Sequence, residues 1–140
     1  MERRNIIETT IGTLWGRDCI FLDRLALSND ATLVLEGTIN TAIVKGFLAP
    51  TEMPASEELP YVLRFFQTLA FQVYELDTWQ SQNKNSDDAF MGSSLEEVVN
   101  SEWVASLGGK VTPQCRHFSV LTYDDVIEAV SRDFELALNT

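Results

Sequence analysis

The sequence predicts an α+β domain: one antiparallel sheet of about five to seven strands with one or two helices packed on one face. Three observations predict it. Short runs rich in β-branched and aromatic residues recur between turn clusters. One segment, Ser94 to Gly109, carries helix start and stop signals. At 140 residues the chain is the size of one domain, and it shows neither an internal repeat nor a Gly-rich phosphate loop.

Along the chain, Ile6, Ile7, Thr10, Ile11 and Leu14 fall near helical spacing, and Gly16 is placed to end a short N-terminal helix. From Cys19 the pattern becomes β-like. CIFLDRLAL and ATLVLEGTI flank Ser28-Asn29-Asp30 and are expected to form a hairpin, which NTAIVKGFL extends. Residues 50–60, with three prolines and three glutamates, are an exposed connection. YVLRFFQTLAFQVYELDTW then fits both periods, but its composition and the shift of apolar phase at Val73-Tyr74 favour two strands or one strand bent by a bulge. The polar stretch QSQNKNSDDAFMGS is a loop.

In SSLEEVVNSEWVASLGG, Ser94 and Glu97 fit a capping box. Leu95, Val99, Trp103 and Leu107 form a stripe with a break near Asn100-Ser101, and Gly108-Gly109 stop the helix. After Pro113, HFSVLTY, VIEAV and FELAL are strands, the last two joined by a three-residue hairpin loop at Ser131-Arg132-Asp133. A helix over Asp124–Ser131, capped by Thr122, competes with the middle strand.

Charge limits the function more than any motif does. Residues 1–24 balance four arginines against four acids, so the net charge of -11 lies wholly beyond them, where 6 basic residues face 17 acidic ones. A surface of this sign repels a phosphate backbone, which disfavours nucleic acid as a direct ligand, and none is expected. No apolar run approaches the roughly 20 residues that span a bilayer. The opening MERRNIIETTIG has no continuous apolar h-region, so a cytoplasmic protein with no membrane association is expected. Cys19 and Cys115 are then expected as thiols.

Gln114 to Asp125, QCRHFSVLTYDD, holds the single histidine two residues after Cys115. On a strand the two would share a face, close enough for a thiol–imidazole contact. Catalysis would further require an orienting group and oxyanion donors, and zinc would require three or four ligands where Cys19 adds only a distant third. The simpler expectation makes Cys115 a small buried hydrophobe, His117 a partly exposed strand residue, and the chain free of metal and cofactor. Glu75 and Asp77 would share a strand face, with Tyr123, Asp124 and Asp125 alongside if the segments pair. With Tyr74 and Trp79 as aromatic anchors, these seven residues form the candidate surface for a partner's Lys or Arg. A paired-carboxylate glycosidase site is a formal alternative.

GTLWGRDCIFLDRLALSNDATLVLEG followed by YVLRFFQTLAFQVYELDTW resembles small bacterial immunity proteins of polymorphic toxin systems over about residues 11–79. A short polar-acidic turn precedes a strand pair, and a later strand opens on an apolar-Arg-Phe start. Arg17 stands where that pattern has a histidine, the C-terminal third has no counterpart, and no functional residue carries over. The resemblance implies a non-catalytic, acidic protein that binds and blocks a cognate toxin, often a basic nuclease. The sequence thus points to a binding protein acting through protein contacts. It leaves open homo-oligomerisation, a small-molecule domain with an apolar pocket, and a small enzyme using Cys115 and His117.

Overall fold

Apolar residues at every second position sort this chain into strands that each give one side to a common core. A computed structural model describes residues 2–47, 58–83, 88–108 and 114–138. Within them lie nine strands: β1 (Arg3–Ile6), β2 (Ile20–Leu27), β3 (Leu33–Asn40), β4 (Glu58–Phe66), β5 (Ala70–Glu75), β6 (Leu95–Val99), β7 (Arg116–Leu121), β8 (Asp125–Ser131) and β9 (Asp133–Leu138). They form two antiparallel sheets, a four-stranded one ordered β2-β3-β4-β9 and a five-stranded one ordered β1-β6-β7-β8-β5.

The sheets enclose one apolar cluster. Ile20, Leu33, Leu35, Ile39, Leu63 and Phe65 enter it from the four-stranded sheet, and Leu95, Phe118, Val120, Ile127 and Ala129 from the five-stranded one. Phe65 and Phe134 both contact the Phe118 ring, at centroid distances of 5.4 and 5.3 Å. Each fully buried side chain of this kind contributes about 1.5–3 kcal/mol. The sheets are stitched at one corner, where the chain crosses twice. β4 passes to β5 through Gln67–Leu69, and β8 passes to β9 through Arg132. There the Leu69 N–H donates to the Val130 carbonyl (2.8 Å) and the Arg132 N–H to that of Phe66 (3.0 Å).

The expected α+β character holds in its coarse form, mostly antiparallel strands with two helices, but the strands number nine in two sheets rather than five to seven in one. The β2–β3 hairpin, the β4–β5 division and strand β8 form where the sequence places them. Several local expectations do not hold. Ile6–Leu14 contains no helix. Arg3–Ile6 is a strand, and the following turns are closed by bridges from Thr9 to Gly12 and from Thr13 to Lys45. NTAIVKGFL adds no strand, because Thr41–Ile43 turn in a single 3-10 turn capped by the Asn40 side chain. The 50–60 connection falls mostly outside the described residues, although Glu58–Pro60 already belong to β4. Residues 84–87 of the polar loop also lie outside them, while Gln80–Gln82 end α1 (Leu76–Gln82).

The Ser94–Gly109 helix shrinks to α2 (Glu102–Ser106). Leu95–Val99 pair with β1 and β7 instead, because their alternation fits a covered strand and Asn100, at φ 58°, breaks the chain direction before Ser101 caps α2. Ser131–Asp133 is not a hairpin loop, since β9 pairs with β4 in the other sheet.

Gly37 marks the tightest backbone approach. It pairs with Leu22 where β2 bulges between Leu22 and Arg24, and a Cβ at this position would lie 1.8 Å from the Phe21 carbonyl oxygen. Backbone cannot yield as a side-chain tip can. Gly37→Ala is therefore expected to cost about 2 kcal/mol or more in urea unfolding. Gly46→Ala, strained only by its φ of +68° with open space around it, should cost about 1 kcal/mol. Equal losses at the two positions would show that the bulge accommodates a methyl group.

Candidate functional site

The face of the five-stranded sheet turned away from the core is charged, yet largely buried. Register aligns Glu96 of β6 with Ser119 of β7, Ser119 with Glu128 of β8, and Glu128 with Gln72 of β5. One step along, His117 lies between Val98 and Val130. Glu96, His117, Ser119 and Glu128 are all buried. They are covered by α1 and α2, of seven and five residues, and by the loop carrying Phe90. Leu76 and Trp79 of α1 pack with Leu121, Val126 and Phe90 in a second apolar cluster.

Polar bonds complete this layer. The Trp79 indole N–H donates to Glu128 Oε2 (3.3 Å), and His117 Nε2 lies 2.9 Å from Glu128 Oε1. Ser101 Oγ is 2.7 Å from His117 Nδ1 and also accepts the Val104 N–H at 3.1 Å, so one hydroxyl caps α2 and anchors it to the sheet. Trp103 meets the imidazole edge-on at 5.2 Å. Arg4 of β1 pairs with Glu96 at 3.3 Å, and its guanidinium sits 5.5 Å from the Trp79 ring and 5.2 Å from that of Phe90.

The two buried carboxyls are driven in opposite directions. Burial pushes Glu96 up, and the Phe90 N–H and Arg4 offset this only in part. Burial also pushes Glu128 up, but the His117 bond and charge, the Trp79 bond and Arg4 outweigh it and hold this carboxyl below its ordinary range. A cavity of about 290 Å³ adjoins the layer, lined by the buried His117 and Glu128, the half-buried Arg4, Tyr74 and Trp103, and the exposed Glu2 and Glu102.

Ser101, His117 and Glu128 stand in the order of a nucleophile, a base and an orienting acid. The serine, however, is buried and its hydroxyl is committed to the cap and the imidazole. His117 is thus not the partly exposed strand residue that the sequence suggests, because the helices of the outer layer cover its face. Cys115 lies half-buried just before β7, and both imidazole nitrogens are engaged by Ser101 and Glu128. Cys19 and Cys115 are not joined in a disulfide. No group of three or more His, Cys, Asp or Glu side chains is placed to hold a metal among the described residues.

The acidic residues singled out in the sequence do converge. β5 pairs with β8 so that Glu75 lies opposite Asp125 and Tyr74 opposite Val126, and the Leu76 N–H donates to the Asp124 carbonyl (2.9 Å). Glu75 and Asp77 do not share a strand face, since Glu75 caps α1, accepting the Asp77 and Thr78 N–H groups, and Asp77 lies in its first turn. These bonds hold Glu75 below its usual range, with Arg17 assisting. Asp125 is pushed up by burial and then by the charges of Asp124 and Glu75. Tyr123 is exposed, stacked on Phe21 and covered by Arg17, whose guanidinium lies 4.4 Å from the ring. Trp79 parts from this group. It is turned inward onto Glu128 at 4% exposure, so its ring is part of the fold rather than an exposed anchor.

No protein-family model, curated protein or solved structure matches the chain. Among the described residues no helix is long and apolar enough to cross a membrane.

Glu128 makes the pH dependence of this layer testable. Its folded pKa is depressed, so its contribution is complete above the unfolded carboxylate value and is lost as pH falls through the lower folded one. Glu96 has the opposite sign: its raised pKa opposes folding at neutral pH, and acid relieves that opposition. Glu128→Gln is expected to lose about 1.5–3 kcal/mol at neutral pH and to lose less than the parent on acidification, read from urea unfolding across the carboxylate range. A variant as stable as the parent at neutral pH would show that the His117 and Trp79 bonds contribute nothing net.

Proposed function

We propose that this chain is a non-catalytic acidic binding protein that captures a basic protein through the edge formed by Glu75, Asp77, Asp124 and Asp125, with Tyr123 as the exposed aromatic anchor. The observation that carries this reading is the pairing of β5 with β8, which sets Glu75 opposite Asp125, where its charge and that of Asp124 add to burial in raising Asp125. Like charges held together by the fold cost stability in the free protein, and a partner's Lys or Arg would recover it. Neutralisation of a basic toxin is the specific form that the immunity-protein resemblance suggests. An enzyme built on Cys115 and His117 is disfavoured by the engagement of both imidazole nitrogens, and the cavity beside them has a largely polar lining rather than an apolar one.

The test is binding to the product of the neighbouring gene, and to basic nuclease domains if that product is not a toxin, measured over a range of salt. Charge reversal at Asp77 or Asp124 should slow association and flatten its salt dependence, while Tyr123→Ala should act mainly on dissociation. Glu58→Lys, on β4 of the other sheet, makes the same change in charge at a distance. An equal effect there would reduce the result to net charge, and no binding to any basic domain would overturn the reading. In the unbound protein Asp125→Asn should raise stability by about 0.5 kcal/mol at neutral pH, because it removes the repelled charge. The same substitution should weaken the complex.

A further inference from the structure

We propose that the cavity over the His117–Glu128 pair is a binding site for a guanidinium or alkylammonium group, supplied either by a free small molecule or by an Arg or Lys side chain of a protein. The acidic edge plays no part in this inference, which rests on the sign, shape and fixed charges of the cavity.

Three carboxylates line it, Glu2, Glu102 and Glu128, against Arg4 and the His117 imidazole that pairs with Glu128. Arg4 also faces Glu96 at 3.3 Å and lies over the Trp79 and Phe90 rings, so its charge is shared between Glu128 and a carboxylate outside the lining. Glu2 is drawn to the site by its own bond: its Oε2 accepts the Glu102 N–H at 2.7 Å, which brings a second carboxylate to the residue that already carries one. Glu128 is buried and held ionised by His117 and Trp79, and each of its oxygens keeps a further lone pair for a donor. The remaining carboxylates Glu2 and Glu102, which have no lining cation of their own, therefore favour a cation over an anion.

The lining narrows the class of cation. Trp103 and Tyr74 offer aromatic surface, and Gln72, Gln82 and Asn83 offer amide groups, a combination that accepts a flat donor-rich group by stacking and hydrogen bonding. A volume of about 290 Å³ suits a side-chain-sized ligand. Glu102 is exposed, Trp103 half-buried and Glu128 buried, so the lining runs from solvent to the interior.

The probes are Nα-acetyl-arginine amide, its lysine counterpart, and the citrulline counterpart, which keeps the shape and removes the charge. Binding is followed by backbone and indole amide shifts at Glu102 and Trp103. The arginine and lysine amides should saturate in the millimolar range, with citrulline about tenfold weaker or worse. Glu102→Gln, at an exposed position outside the core, should weaken the arginine amide about threefold, and Trp103→Ala should weaken it further. An arginine-containing peptide that binds about tenfold tighter than the amide identifies a protein side chain as the source, and equal affinity identifies a free ligand; both support the site. Lack of saturation, or citrulline binding as well as arginine, would overturn it. Binding that depends on Asp77 and not on Glu102 would move the cation to the acidic edge and overturn the assignment to the cavity, leaving the partner-binding edge intact.

Discussion

The carboxylate of Glu128 holds the outer layer of this protein together. Helices of seven and five residues are far below the length at which a helix is stable alone, so each must be held by what it touches. One oxygen of Glu128 holds Trp79, and through it α1. The other holds His117, which in turn bonds the cap of α2 and meets Trp103. α2 buries none of its own residues, so the Ser101–His117 contact is its main tie to the sheet. Burying an ion is costly in isolation, and this one is tolerated because both of its oxygens are engaged.

A second buried charge shows the limit of that arrangement. Glu96 also lies under the helical layer and also has partners, yet its carboxyl is raised where that of Glu128 is lowered. The difference lies in what faces each group. Arg4 and one backbone N–H do not offset the burial of Glu96, and Asp88 works against them. Two glutamates on one face, two strands apart, thus sit in opposite electrostatic situations. The edge at Glu75, Asp124 and Asp125 adds a third, where a half-buried carboxyl is repelled by two exposed ones. The negative charge of the chain is therefore distributed in functionally different ways that a net value conceals.

Local sequence signals reveal much of this fold and little of its outer layer. The β2–β3 hairpin and the β4–β5 division were legible because turn residues and changes of apolar phase are local. The segment beginning at Ser94 was misleading, since Leu95, Val99, Trp103 and Leu107 satisfy a helical period that Val98 and Val99 also satisfy as a covered strand. Only the pairing of β6 between β1 and β7 decides it. The Arg132 crossing has the appearance of a hairpin turn because nothing in three residues shows which sheet the next strand joins. The nearness of Glu75 to Asp125 could be anticipated from strand pairing. The burial of His117 and Glu128 could not, because it depends on Trp79 and Ser101, which come from other elements. A histidine and two glutamates inside otherwise apolar strand runs were the available signal that this face is covered.

The pairing of β1 with β6 has a consequence for the order in which the molecule assembles. Arg4 and Glu96 are 92 residues apart in sequence, whereas β6, β7 and β8 follow one another closely along the chain. Closing so long a loop costs entropy that the nearer pairings do not, so the β6–β7–β8 meander is positioned to form while Glu96 still faces water. Docking of β1 is then expected as a late step that brings Arg4 onto this carboxylate. Substitutions in β1 would consequently speed unfolding while leaving the refolding rate nearly unchanged, a kinetic signature that follows from chain connectivity alone.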